Sequence, residues 1–209
     1  MKIIDWYFDF VSPFSYLQLE RFPDLSNGVE ARFRPVLLAG LLKHWDTKGP
    51  AETPPRRRFT YRHVLWLARH HGIDLRMPPA HPFNPLAALR LAIALESRPE
   101  AIREIFRFFW RDGHSSDNPV AWKALTDKLG VKDVEERLAF PAVKQELRDN
   151  TEQAIHHGVF GVPTFRVDKE LFWGFDAGGM LLDYLHDPHQ FDDPEMVRVS
   201  NLPEGVMRS

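Results

Sequence analysis

Ser12-Pro13 follows directly on an apolar, aromatic-rich stretch running from Lys2 to Phe10. Serine is a preferred helix N-cap and proline suits the first helical position, so the pair marks a helix start. There the backbone N–H groups are free, the dipole end is positive and the serine hydroxyl can donate, which together favour an anion such as a thiolate. A plain N-cap is the alternative. The chain holds no cysteine. It cannot form a disulfide, exchange dithiols or build a thiolate metal site, so sulfur chemistry at Ser12 has to arrive with a ligand. Val162-Pro163 stands before a strand-like stretch, and its proline can simply begin that strand. Asp176 lies where a last helix should start and can hold a cation there. Lys48 and the run Arg56-Arg57-Arg58 can hold a carboxylate or face water. Asn84 can contact an acidic group or cap a helix beginning at Pro85. Phe14 and Trp45, with Phe10, Leu38, Phe83 and Trp110, can wall an apolar site or belong to the core.

Two other chemistries find little support. The ten histidines include the adjacent pairs His70-His71 and His156-His157, whose side chains point to different faces of a helix and do not chelate. His186, His189, Asp192 and Asp193 come closer to ligand spacing but fall near the chain end, so no metal is expected. No glycine-rich phosphate loop and no GxGxxG occurs.

The elements that must position these residues read as follows. Lys2 to Phe10 suits a strand buried on both faces. A helix should run from Pro13 to about Phe22. Asn27-Gly28 signals a turn, and Val29 to Val36 alternates as a second strand. Strand, helix and strand favour a parallel pair with a helical crossover. A loop from Thr47 to Pro55 leads into apolar residues at helical spacing over Phe59 to His71, Leu86 to Glu96, Glu100 to Trp110, Val120 to Leu129 and Ala142 to Ile155. Thr164 to Val167 and Leu171 to Trp173 read as a hairpin, Gly179 to His186 as a closing helix, and the tail from Asp187 as an extended surface segment.

Composition sets outer limits. With 209 residues, 44% of them hydrophobic, the chain can bury a real core. A net charge of −2 argues against a strongly basic nucleic-acid binder. No run of about 18 uncharged apolar residues exists to span a membrane. Asp5 and Asp9 interrupt the apolar segment that a signal peptide would need, so a cytoplasmic location is expected.

Several local sequences carry a resemblance: Phe8-Asp9-Phe10-Val11-Ser12-Pro13-Phe14-Ser15-Tyr16, Arg34-Pro35-Val36, His81-Pro82-Phe83-Asn84, Asn150-Thr151, Gly158-Val159-Phe160-Gly161-Val162-Pro163-Thr164-Phe165 and Phe172-Trp173-Gly174. Together they resemble the 2-hydroxychromene-2-carboxylate isomerases and kappa-class glutathione transferases of the DsbA-like thioredoxin superfamily. The resemblance implies an α/β, thioredoxin-like fold (βαβ…ββα) with a large inserted α-helical domain. Residues 1–40 and 158–187 would form the thioredoxin-like part, 41–157 the insert and 188–209 an extended tail. It implies glutathione as cofactor, Ser12 facing its sulfur, and a cis Val162-Pro163 bond whose flanking backbone pairs with the glutathione cysteinyl unit. Asp176 would hold the γ-glutamyl ammonium and Lys48 the glycine carboxylate. Asn84, Phe14 and Trp45 would contact a small-molecule substrate.

The same resemblance implies a homodimeric enzyme of aromatic-compound catabolism, and the charge and hydropathy leave no nucleic-acid or membrane partner expected. Glutathione thiolate would add reversibly to an unsaturated aromatic keto acid. A kappa-like transferase or peroxidase, and a non-catalytic thioredoxin-fold binding protein, are the alternatives. The chain departs from the family pattern at Phe175 and Ala177, which flank Asp176 in place of polar and basic residues. It departs again at His63 and Trp66, which stand where an acid and an arginine are common.

Overall fold

β1 (Lys2–Phe8) owes its conformation to a run of β-branched and aromatic side chains, and it lies inside a four-stranded sheet of order β2-β1-β3-β4. The structure, a computed structural model, describes residues 2–22, 29–203 and 205. β2 (Val29–Pro35) runs parallel to β1 with Phe33 opposite Trp6. A parallel pair needs a crossover, and α1 (Pro13–Glu20) lies in that connection. The expected Asn27-Gly28 turn lies outside the described residues. β3 (Thr164–Val167) pairs antiparallel with the other edge of β1, and β4 (Glu170–Trp173) closes a hairpin onto β3.

Between β2 and β3 lie α2 (Leu38–His44), a 3-10 turn (Pro50–Glu52), α3 (Pro54–His70), α4 (Leu86–Ala94), α5 (Pro99–Trp110), α6 (Pro119–Lys128), α7 (Val134–Ala139) and α8 (Pro141–His156). α9 (Gly178–His186) follows the hairpin. The pleat of β1 splits its side chains between two cores. Ile4, Trp6 and Phe8 join the larger one, with Leu17 and Leu19 of α1, Leu89 of α4 and Phe106 and Phe109 of α5. Tyr7 faces the smaller one, with Val36, Leu41, Ala154 and Val159. Ring contacts bind sheet to insert directly: Phe8 lies 5.6 Å from Phe106 and Phe10 lies 4.6 Å from it.

Several expectations are corrected. The tail is not extended over residues 188–199. Asp187-Pro188 opens a 3-10 turn (Pro188–Asp192) and Asp193-Pro194 opens α10 (Pro194–Val199), each aspartate capping backbone N–H groups ahead of a first-turn proline. Phe191 then rests on Phe172 and Tyr184. α3 begins at Pro54 rather than Phe59, so Arg56, Arg57 and Arg58 are helical and the preceding loop is shorter. β1 stops at Phe8, two residues early, because Asp9 turns its carboxyl inward onto the next loop. α1 ends at Glu20, and α2 and α7 form without having been read from the periodicity.

Candidate active site

Ser12 is the N-cap of α1, with extended backbone at φ −92° and ψ 112°. Its Oγ accepts the Ser15 N–H at 3.2 Å, satisfying one of the free donors of the first turn. The hydroxyl proton is left to point elsewhere, and the nearest acceptor is the Val162 carbonyl, at a long 3.5 Å. Ser12 is 6% exposed, so the hydroxyl stands in a largely dry setting where a hydrogen bond to an anion counts for more than in water. Ser15 is fully buried and its own hydroxyl finds no partner among the described residues. Ser12 and Ser15 keep the spacing of a C-x-x-C pair with oxygen in place of sulfur.

Val162-Pro163 comes from the opposite side, just before β3, and the bond is cis. The Val162 N–H makes no hydrogen bond to any described residue, and its carbonyl meets only the Ser12 hydroxyl. An unpaired N–H and a weakly engaged C=O on one residue form a ready partner for an extended peptide. Aromatic side chains rim this backbone. Trp45, at the end of α2, donates Nε1–H to the Val159 carbonyl at 3.0 Å and keeps an exposed face. Phe160 and Trp173 meet edge to face at 5.0 Å. A Cβ at Gly161 would come within 2.6 Å of Trp173 Nε1, so glycine there lets the indole lie directly on the chain.

The corner after β4 is tied to the same place. Gly174, at φ +97°, donates its N–H to the Pro163 carbonyl at 2.9 Å. Its own carbonyl accepts from Gln18 Nε2 at 3.0 Å, and Gln18 Oε1 accepts the Trp6 indole N–H at 2.6 Å. Asp176 follows two residues on, exposed and without an ion pair among the described residues. Lys48 is likewise exposed, in the loop after α2. α3 adds five arginines and no acid, Arg56, Arg57, Arg58, Arg62 and Arg69.

The loop leading to Ser12 holds groups that sequence reasoning left without a role. Asp9 is fully buried, and its carboxyl accepts the Val11 N–H at 3.0 Å and the Leu38 N–H at 2.8 Å. Burial pushes it up to about 7 against these amide donors, which pull the other way. His81 places Nε2 2.8 Å from the Val11 carbonyl, so that nitrogen carries the proton. The Tyr61 hydroxyl lies 2.8 Å from His81 Nδ1 and 2.9 Å from the His81 carbonyl, one proton between two acceptors. Burial and the nearby Arg57 hold the His81 imidazole below its ordinary value despite the Val11 carbonyl, which keeps it neutral. An aspartate amid the aromatics that end β1 was the one sequence signal, since a buried carboxyl needs donors.

The remaining candidates divide. Phe14 is half-buried beside His63 at 6.1 Å, next to Ser12 on α1. Phe10 and Trp110 are fully buried and do not wall a site; Trp110 donates its indole N–H to the Phe10 carbonyl at 2.8 Å. Asn84 bends the chain into α4, its Oδ1 accepting the Leu86 N–H at 3.0 Å, while the cap position itself falls to Pro85. A polar cavity of about 460 Å³ opens by the C-terminal half of α1, lined by Tyr16, Glu20, Arg21 and Arg107 among others, away from Ser12.

Known proteins resemble the chain along most of its length. A kappa 2 glutathione S-transferase of Caenorhabditis elegans is 25% identical over 90% of this chain and 93% of the relative. A 2-hydroxychromene-2-carboxylate isomerase of Sphingobium xenophagum is 28% identical over 89% and 99%. The solved structure of a 2-hydroxychromene-2-carboxylate isomerase superposes with a TM-score of 0.77 at 25% identity, covering 91% of this chain and 98% of that one. The thioredoxin-like fold with a helical insert is therefore the fold of this molecule. Residues 3–186 match the DSBA-like thioredoxin domain, and the chain belongs to that family.

Proposed function

We propose that the chain binds glutathione with its sulfur at Ser12 and works as a glutathione-dependent isomerase on unsaturated aromatic keto acids. The observation that carries this reading is the pairing of a capped helix start with a free peptide edge: the Ser12 hydroxyl lies 3.5 Å from the carbonyl of Val162, whose N–H makes no hydrogen bond to any described residue. In a chain without cysteine, that arrangement suits a thiol brought by a peptide-like ligand. The names of its relatives, a glutathione transferase and an isomerase, support the same ligand.

The chain's own residues have separable tasks. Ser12 donates to the anionic sulfur, and the positive end of α1 adds to that preference, so the bound thiol ionises more readily. Val162 pairs with the cysteinyl backbone through its N–H and C=O. Asp176 takes the γ-glutamyl ammonium, and Lys48 or an arginine at the start of α3 takes the glycine carboxylate. Phe14, Trp45 and Asn84 border the organic substrate, with Phe160 and Trp173 on the rim. Glutathione supplies a nucleophile that adds to an unsaturated carbon, allows bond rotation and leaves again. The protein's share is to hold both reactants in line.

Titration calorimetry with glutathione and S-methylglutathione, together with the ultraviolet absorbance of the bound thiolate, tests this. Ser12→Ala should keep S-methylglutathione affinity within about threefold and lower the thiolate fraction about tenfold, roughly one pKa unit. If neither compound binds the wild type at millimolar concentration, the reading fails. Product analysis separates it from the kappa-transferase alternative, since an isomerase returns glutathione and a transferase consumes it. Sedimentation tests the homodimer that the family resemblance favours.

A further inference from the structure

Two peptide groups precede Ser12, and all four of their polar atoms are bonded. In the Phe10-Val11 peptide, the carbonyl accepts the Trp110 indole N–H at 2.8 Å and the N–H goes to Asp9 Oδ1 at 3.0 Å. In the Val11-Ser12 peptide, the carbonyl accepts from His81 Nε2 at 2.8 Å and the N–H goes to the Asp9 carbonyl at 3.0 Å. Both carbonyls are thus held by side chains of the helical insert, Trp110 ending α5 and His81 lying before α4. A loop at a site mouth could have left them to water.

His81 differs from Trp110 because its donor is conditional. An imidazole donates from Nε2 only in one neutral tautomer or when charged, and the Val11 carbonyl, which can only accept, requires one of those forms. At Nδ1 the ring is braced by the Tyr61 hydroxyl of α3, which also reaches the His81 carbonyl, and α3 places His63 beside Phe14 in the first turn of α1. Rotation of the Val11-Ser12 peptide would swing the N-cap and carry the Ser12 hydroxyl away from the Val162 carbonyl.

We propose that His81, donating from Nε2 to the Val11 carbonyl and braced at its other edge by Tyr61, is a positioning residue that fixes the Val11-Ser12 peptide and so aims the Ser12 hydroxyl at the bound sulfur. The functional half of this rests on glutathione binding at Ser12; the structural half does not. The insert is then part of the thiol-activating apparatus as well as a wall for the second substrate.

The test compares His81→Leu, His81→Gln and Tyr61→Phe with the wild type at neutral pH. Three quantities are read: the thiolate absorbance of bound glutathione, the affinity for S-methylglutathione, and amide hydrogen exchange in the ligand-free protein. His81→Leu should lower the thiolate fraction about tenfold, near one pKa unit, while S-methylglutathione affinity stays within about twofold. It should also speed exchange at Val11 and Ser12 by about tenfold, with Trp6 and Tyr7 in β1 unchanged. His81→Gln keeps an N–H donor within reach of the Val11 carbonyl and should restore both signals. Tyr61→Phe should fall between. A thiolate fraction unchanged in His81→Leu, or a loss of S-methylglutathione affinity that His81→Gln does not rescue, overturns the proposal. If the wild type binds neither compound, the glutathione reading has failed by itself. The exchange rates then judge the loop: unchanged rates overturn its fixing by His81, and raised rates rescued by glutamine uphold it.

Discussion

Asp9 sits three residues before Ser12, fully buried and without an ion pair among the described residues. Two amide donors stabilise its charge, yet desolvation outweighs them and lifts the carboxyl from 3.8 to about 7. The folded chain therefore keeps a proton that the unfolded chain releases. Between about pH 4 and about pH 7 the folded state binds more protons, so the contribution of Asp9 to stability falls as the pH rises through that window. It is whole below the window and lost above it. Asp9→Asn cannot titrate, and with one oxygen it leaves either Val11 or Leu38 N–H unpaired, which costs about 1–3 kcal/mol at acid pH. Denaturant midpoints should show the wild type clearly more stable than Asp9→Asn near pH 4, with the gap narrowing towards pH 7. A gap that widens over that range would refute the burial argument. Ser12 was legible because a cap followed by proline is a local signal. Asp9 and His81 were not, because their work is done on backbone groups far along the chain or set by a tautomer.

At the scale of elements, α1 is anchored at both ends. Its start lies at the site, and Glu20 in its last turn forms a forked pair with Arg107 of α5 at 2.8 and 2.9 Å, with Arg103 at 3.5 Å. Glu20 is 13% exposed, too buried for the pair to be trivial, while the arginines keep some water contact. Glu20→Ala leaves two arginines facing each other and should cost about 1–3 kcal/mol by urea unfolding. Affinity for S-methylglutathione should hold within about twofold, since the pair lies at the other end of the helix. A large affinity loss would mean that α5 sets the angle of the site. The same scale shows why α2 escaped notice. Its N-cap is Leu37, which offers no side-chain cap, and the donors at its start are met from elsewhere: Leu37 N–H by Thr151 Oγ1 at 3.1 Å and Leu38 N–H by Asp9. Tertiary contacts supply what the local sequence lacks. The tail helices failed for the opposite reason. Asp187-Pro188 and Asp193-Pro194 repeat the cap-then-proline signal that located α1 at Ser12-Pro13, yet the segment was read as an extended surface chain.

Across the whole molecule, the insert shares its main core with the sheet. Ile4, Trp6 and Phe8 of β1 lie in one cluster with Leu89, Leu91, Ile102, Ile105, Phe106 and Phe109 of the insert. The strand-helix-strand order and the return of the hairpin were legible as a fold, because periodicity and turn residues are local. How far the insert stands apart was not, since the boundaries proposed at residues 41 and 157 follow chain order and cannot show which apolar faces meet. An inserted domain with its own core should unfold in its own step, as chains above about 150 residues often do. Here the rings of Phe8 and Phe10 lie against Phe106, and Trp110 hydrogen-bonds the loop before Ser12. Losing the insert would expose one face of β1, and losing the sheet would strip α5 of its packing. Tryptophan fluorescence weights the seam between sheet and insert, where the fully buried Trp6 and Trp110 lie, whereas far-ultraviolet circular dichroism weights the helices, most of which lie in the insert. The two should give the same urea midpoint and a single transition. Separate midpoints, with helical signal surviving the fluorescence change, would mean that residues 41–157 form an autonomous unit. The shared core would then be an interface between two folded parts, and the bonds from His81 and Trp110 to the Ser12 loop would open before the insert unfolds.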